Sequence, residues 1–228
     1  MNAPDQSAAL AADRARAQEL VPVSRETLAR LDHLVALLLE WQQTRNLIAA
    51  STIPSIWTRH IADSLQLLDL APPAAKTWVD LGSGGGFPGL VLACALAETA
   101  ETQIHLVEST AKKCAFLQAV TEALGLPAEV HCQRVEAFIP AFPRKPDVVT
   151  ARALAPLPKL LELAFPLLKT GAIGLFLKGQ DVGAELTEAS KYWSIQYKLA
   201  PSRTDDRARI VVVESLESRK IAARRPAR

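Results

Sequence analysis

The chain has 228 residues, 49% of them hydrophobic, which suffices for one substantial core or one core plus a small helical extension. A formal net charge of +2 with 22% charged residues excludes a globally basic nucleic-acid binder, so any basic surface must be local. Asp5, Asp13, Arg14, Arg16 and Glu19 interrupt the first twenty residues, which excludes a secretory signal or membrane span there and points to a cytoplasmic protein without a membrane partner.

In chain order, residues 1–22 are Ala-rich and charged and are expected to be loose. Ser24 is a plausible N-cap, and Leu28, Leu31, Val35, Leu38 and Trp41 recur at helical spacing after it. A second helix is predicted over 54–69, with Pro54 in its first turn and Trp57, Ile61, Leu65 and Leu68 in its apolar stripe. Residues 23–73 thus read as a helical region. From Thr77 the pattern changes to short β-branched runs near 77–82, 104–108, 129–133, 147–151, 171–177, 194–199 and 209–214. Helical runs near 88–99, 110–124, 157–168 and 181–190 separate most of them. This alternation predicts an α/β domain over 74–217, Rossmann-like, with a mainly parallel seven-stranded sheet. A basic tail over 218–228, with Arg219, Lys220, Arg224, Arg225 and Arg228, is expected to be disordered. Cys94, Cys114 and Cys132 form no CxxC pair and read as reduced thiols rather than a disulfide or metal set.

The stretch from Val79 to Leu90, VDLGSGGGFPGL, joins the first strand of the sheet to its first helix. In a doubly wound sheet that is where ligands bind, and glycine lets the backbone approach them closely. A Walker A loop needs Lys-Ser/Thr after its last glycine, and Gly89 is followed by Leu90 and Val91. The dinucleotide fingerprint fails too, because its third glycine falls at Phe87. What fits is Asp80, Gly82, Gly84 and Gly86 at alternate positions, which resembles the first motif of S-adenosylmethionine-dependent methyltransferases. That donor has a carboxylate that the loop amides, with Ser83 among them, would suit, and no phosphate that calls for lysine. Glu108 ends the second strand about twenty residues on, where an acid accepts hydrogen bonds from ribose hydroxyls; Ser109 is expected to cap the next helix. Val135 and Glu136, after the third strand, are candidates to flank the adenine. Arg152, just past the fourth, is aimed into the site, where it would hold a carboxylate or phosphate. His60, Asp63 and Ser64 share one helix face; they are too close in sequence for a hydrolase triad, and are expected to hydrogen-bond the Asn46 turn or the Arg152 loop. Lys178, Lys112 and Lys113 are placed to meet a phosphate, which the resemblance given next makes that of RNA.

Beyond the glycine loop, the chain resembles the bacterial glucose-inhibited division protein B family, the ribosomal small subunit methyltransferases G. The resemblance rests on Asn46-Leu-Ile-Ala, Arg59-His-Ile-Ala-Asp-Ser64, the glycine loop, HLVESTAKKCAFL, Thr150-Ala-Arg-Ala-Leu-Ala155 and Leu177-Lys-Gly-Gln180. It implies methyl transfer from S-adenosylmethionine to N7 of guanine 527 in the 530 loop of 16S rRNA, with the 30S subunit as partner; nothing in the sequence suggests an obligate oligomer or a metal site, so a monomer without metal is expected. The resemblance also implies cofactor contacts from Gly82, Phe87, Val135, Glu136 and Arg152. Guanine N7 carries no proton at neutral pH, so no general base is expected, and His60, Asp63 and Arg152 are positioning candidates. A small-molecule methyltransferase is the alternative within the same fold.

Overall fold

In the computed structural model the described residues are 3–219. The chain runs α1 (Ala3–Leu20), α2 (Arg25–Gln42), a mixed helical stretch from Ala50 to Leu70 that contains the α-turn α3 (Asp63–Leu65), then β1 (Thr77–Leu81), α4 (Gly89–Ala95), β2 (Gln103–Glu108), α5 (Ala111–Leu124), β3 (Ala128–Cys132), α6 (Val135–Ala141), β4 (Val148–Arg152), α7 (Leu157–Leu168), β5 (Ile173–Lys178), α8 (Val182–Ser190), β6 (Trp193–Pro201) and β7 (Arg209–Ser218). The seven strands form one sheet in the order β3-β2-β1-β4-β5-β7-β6. Pairing is parallel from β3 to β5, and β7 enters antiparallel to both β5 and β6. Order reverses at β1, which pairs with β2 on one side and β4 on the other. The crevice for a ligand therefore opens above the carboxyl ends of β1 and β4.

Two apolar layers cover the sheet. On one face α2, α4 and α5 contribute Leu31, Leu34, Leu90 and Phe116; on the other α6, α7 and α8 contribute Phe138, Leu160, Leu161 and Leu186. Parallel strands sandwiched this way read as continuous apolar runs, which is why β4 and β5 are buried almost throughout.

Three local expectations are corrected. Residues 3–20 are helical rather than loose. Ala17 is buried, the Arg14 guanidinium clasps the Asp32 carboxylate through two bonds of 2.6 Å, and Asp13 accepts from the Trp57 and Thr58 amides at 2.8 and 3.2 Å. Asp13 thereby satisfies orphan donors at the start of a helix 44 residues away. The predicted single helix over 54–69 is instead a 3-10 turn (Ala50–Ser55), a π-turn (Trp57–Ala62), α3 and a second 3-10 turn (Gln66–Leu70), with Pro54 inside the first of these. Mixed winding of this kind re-aims side chains and is frequent at functional sites. A short helix at Val135–Ala141 follows β3, where the sequence predicts none. The Ser24 cap holds, with its side chain accepting from the Thr27 amide. Most of the basic tail, 220–228, lies outside the described residues.

Candidate active site

A cavity of about 910 Å³ opens at the switch point, lined by the glycine loop, Glu108, the residues from Gln133 to Glu136, Arg152, and the Arg59–Asp63 stretch. Its floor is built by backbone. Gly82, Gly84 and Gly86 all have positive φ, at 71°, 57° and 93°. A Cβ on Gly82 would lie 2.6 Å from Leu154 and one on Gly86 2.4 Å from Leu90, so any side chain there collides as well as straining the chain.

Most of the loop amides, that of Gly85 excepted, are already bonded within the protein. Gly82 and Ser83 donate to the Val107 carbonyl, Gly86 and Phe87 to that of Ser83, and Gly84 to the Glu108 carboxylate. The expected amide cradle for a ligand carboxylate is thus narrowed to the Gly85 amide, which lines the cavity. The glycines bring bare backbone against the cavity, and their N–H groups hold the loop in shape.

Asp80 is corrected in the same sense. It is 1% exposed and lies beneath the loop, outside the cavity lining. Its carboxylate accepts from the Thr150 hydroxyl at 2.8 Å and the Gly89 amide at 3.1 Å, tying β1 to β4 and to the start of α4. In-register pairing of Asp80 with Thr150 puts the two side chains together. Burial pushes this carboxyl up to about 6, against the opposing pull of Ser83, Thr150 and Gly89. Gly89 is required because a Cβ there would stand 2.6 Å from the Asp80 carboxylate.

Glu108 does line the cavity. One oxygen accepts from Gly84 and the other from Thr110, so the acid ending β2 grips both the glycine loop and the first turn of α5. Ser109 does not cap that helix; Thr110 is its N-cap position, without a side-chain bond, and the Glu108 carboxylate takes over that task. Burial alone would raise its pKa, but the bonds from Thr110 and Gly84 outweigh it and hold the pKa below the ordinary value. Each oxygen keeps a lone pair for a further donor.

Arg152 reaches from the end of β4 to the π-turn. It donates to the Arg59 carbonyl at 2.9 Å and to His60 Nδ1, and lies 3.5 Å from the Asp63 carboxylate. Its guanidinium is 5.4 Å from the centre of the Phe87 ring, on which His60 stacks at 4.7 Å. A guanidinium only donates, so His60 Nδ1 must be an acceptor; Nε2 then carries the proton and donates to the Thr52 hydroxyl at 2.9 Å. The predicted His60–Asp63–Arg152 contact is therefore present. Ser64 is not part of it, being buried with its hydroxyl bonded to the His60 carbonyl. Asp63 also accepts from Thr204, a residue of the β6–β7 connection that sequence reading missed; only its long-range bond marks it.

Lys178 differs from expectation. Its ammonium lies 2.7 Å from Glu185 and 3.1 Å from the Ala155 carbonyl, with 10% of the side chain exposed, so it ties β5 to α8 instead of facing solvent phosphate. Lys113 lines the cavity mouth and Lys112 beside it is exposed. Val135 and Glu136 also line the cavity, at the first turn of α6.

A family model described as rRNA small subunit methyltransferase G matches residues 27–206. The chain belongs to this family. Relatives named ribosomal RNA small subunit methyltransferase G include one from Bradyrhizobium sp. (strain BTAi1), 58% identical over 92% of this chain and 95% of that protein. Another, from Nitrobacter hamburgensis, is 56% identical over 94% of this chain and 82% of that one. Among solved structures, an O-methyltransferase from Bacillus cereus in complex with SAH superposes with TM-score 0.61 at 13% identity, covering 92% of this chain and all of that one. TomG, an O-methyltransferase from Streptomyces achromogenes in complex with SAM, gives 0.57 at 15% identity, over 94% of this chain and all of that one. At such identities the likeness shows the fold, which is the class I methyltransferase sheet. Among the described residues of this methyltransferase G chain, no helix is long and apolar enough to cross a membrane.

The His60 relay makes a stability prediction for the family fold. Burial, then the neighbouring Arg152 and Arg59 charges, lower the His60 pKa from 6.5 to about 3. Between those values the unfolded chain takes up a proton that the folded chain refuses. The His60 contribution to stability is thus complete above pH 6.5 and falls away as the pH drops toward 3. Asp80, with its raised pKa, opposes this in part below pH 6. The wild-type urea midpoint should fall between pH 6.5 and 4, and His60→Gln should flatten that limb; parallel curves for the two proteins would exclude the assignment.

Proposed function

We propose that this chain transfers the methyl group of S-adenosylmethionine to N7 of guanine 527 in 16S rRNA, acting in the cytoplasm as a monomer on the small ribosomal subunit or its rRNA. The observation that carries the cofactor assignment is Glu108. A buried carboxylate held from behind by Gly84 and Thr110 faces a cavity of about 910 Å³, with a lone pair on each oxygen left for a vicinal diol such as ribose. Family membership supplies the rRNA.

Attack of N7 on the sulfonium methyl forms the N–C bond as the S–C bond breaks, and the positive charge passes from sulfur to the purine. No proton moves, so the chain needs no base. Its part is alignment. Glu108 orients the donor's ribose, Val135 and Glu136 bound the adenine side, and the Gly82–Gly86 backbone lets the reacting end approach closely. His60, uncharged at neutral pH, and Arg152, its charge matched by Asp63, form a fixed wall where guanine is presented. The rate should therefore vary little with pH around neutrality.

The deciding experiment is methyl transfer from labelled S-adenosylmethionine to ribosomal RNA from cells that lack the protein, followed by nucleoside analysis. The expected product is 7-methylguanosine in small-subunit rRNA, abolished by Gly84→Asp, which sets a new carboxylate beside Glu108 at a positive φ. Binding of S-adenosylmethionine without transfer to rRNA would refute the acceptor and spare the cofactor.

Contact with rRNA phosphate through Lys112 and Lys113 predicts a salt effect. Replacing both by alanine should weaken subunit binding and lower the slope of log affinity against log salt by about 1.5–2, since each lost phosphate contact removes roughly 0.9 from it. An unchanged slope in filter binding would rule these lysines out.

A further inference from the structure

A second cluster of chemistry-bearing side chains lies away from the cavity, on the α6 face of the sheet near its β3 edge. Parallel register sets His105 of β2 beside Glu129 of β3, and the two-residue period of the strand returns His131 to the same face. His105 Nδ1 and His131 Nε2 are 3.0 Å apart, and the Glu129 carboxylate oxygens lie 3.5 Å from the first and 3.8 Å from the second. Phe142 stands edge-on to His105 at 4.8 Å and Phe138 packs on His131 at 4.7 Å, so both rings are wedged in place.

A hydrogen-bond reading leaves this group under-satisfied. Only one proton is available between two neutral imidazole nitrogens, yet a carboxylate converges on the same point. His105 is 2% exposed, so its Nδ1 meets only the His131 ring and the Glu129 carboxylate; with Nδ1 as the lone-pair donor its Nε2 carries the proton and is without a partner among the described residues. An imidazole is mostly uncharged at neutral pH, so each ring has one nitrogen lone pair to offer. The two imidazole nitrogens, 3.0 Å apart, lie close to the edge of a tetrahedron, about 3.3 Å for metal–ligand bonds of 2.0–2.1 Å, and each has a different Glu129 oxygen nearest to it, all three donor atoms falling within 4.8 Å of one another, so a turn of the half-exposed carboxylate brings one oxygen to both.

We propose that His105, Glu129 and His131 bind one divalent cation of the zinc class, with the fourth position open to water. Two imidazoles and a carboxylate are a donor set that suits zinc. Glu129 is half-exposed and gives the ion a path in, while His105 closes the inner side. The cation would clip the edge strand β3 to β2 and so steady the Gln133–Glu136 wall that β3 leads into. It takes no part in methyl transfer.

The test uses the untagged full chain stripped with a chelator. Calorimetric titration with Zn²⁺ alone should give one equivalent bound, and Co²⁺ should give the intense visible absorption of a four-coordinate ion. His131→Ala should weaken binding by at least about 100-fold, the upper range for loss of even an outer partner. Glu129→Gln, at an exposed side chain that the fold tolerates, should weaken it about 10-fold. Cys132→Ser, which alters the exposed thiol next in sequence, should leave binding intact. Absence of stoichiometric binding, or binding that survives Glu129→Gln and His131→Ala and vanishes with Cys132→Ser, would overturn the proposal.

Discussion

Glu108→Ala is expected to raise the dissociation constant for S-adenosylmethionine about 100-fold or more. On the proposed reading two ribose hydroxyls would lose a charged acceptor, and hydrogen bonds to a charged group are worth about 1.5–3 kcal/mol each. The variant also orphans the Gly84 and Thr110 amides, which together keep the glycine loop and the start of α5 in place. One unsatisfied amide costs about 1–3 kcal/mol where water cannot replace the partner, so the melting temperature should fall as well. Glu108→Gln does not separate the two roles. Its amide keeps the shape but must turn a donor toward either Gly84 or Thr110, so it should lose loop stability nearly as alanine does. Calorimetry and thermal melting read the two effects independently. An unchanged affinity in Glu108→Ala would remove the carboxylate from the cofactor site.

Arg152→Ala is expected to destabilise the protein by about 3 kcal/mol and to lower the rate of methyl transfer more than cofactor affinity. The mutation leaves the largely buried Asp63 carboxylate without its cation, the costly way to break such a pair. Burial already raises the Asp63 pKa against the pull of Thr204 and Arg152. Loss of the arginine raises it further, and part of the lost stability should return as the pH is lowered and Asp63 becomes protonated. Arg152→Lys should not rescue, because one ammonium cannot serve the Arg59 carbonyl, His60 Nδ1 and Asp63 at once. Urea midpoints and a split of kcat against KM check this. Wild-type stability in Arg152→Ala would show that the link from β4 to the π-turn carries no energy.

The sheet was legible because its signals are local. β-branched runs and helical spacing follow from the chain itself, and six of the seven predicted strands overlap the observed ones to within a few residues at either end, with β7 longer than expected. The glycine loop was legible because positive φ and close packing against Leu154 and Leu90 admit no other residue. Glu108 was found from its distance past the loop. The helix over 3–20 was missed because its stabilisation is tertiary: an Ala-rich polar segment has little face of its own, and Asp13, Arg14 and Ala17 find their partners only in the folded chain.

What the sequence determined alone is the α/β class, the place of the ligand loop, and the set of residues carried by the family motifs. Tertiary structure decided what each of them does. Asp80 went beneath the loop because pairing with β4 sets it beside Thr150, and Lys178 went to Glu185 because α8 packs back over the end of β5. Arg152 met His60 and Asp63 across some ninety residues because a π-turn aims them at the end of β4. Motif spacing reports which residues sit at strand ends; only strand register and helix packing say which way their charges are answered.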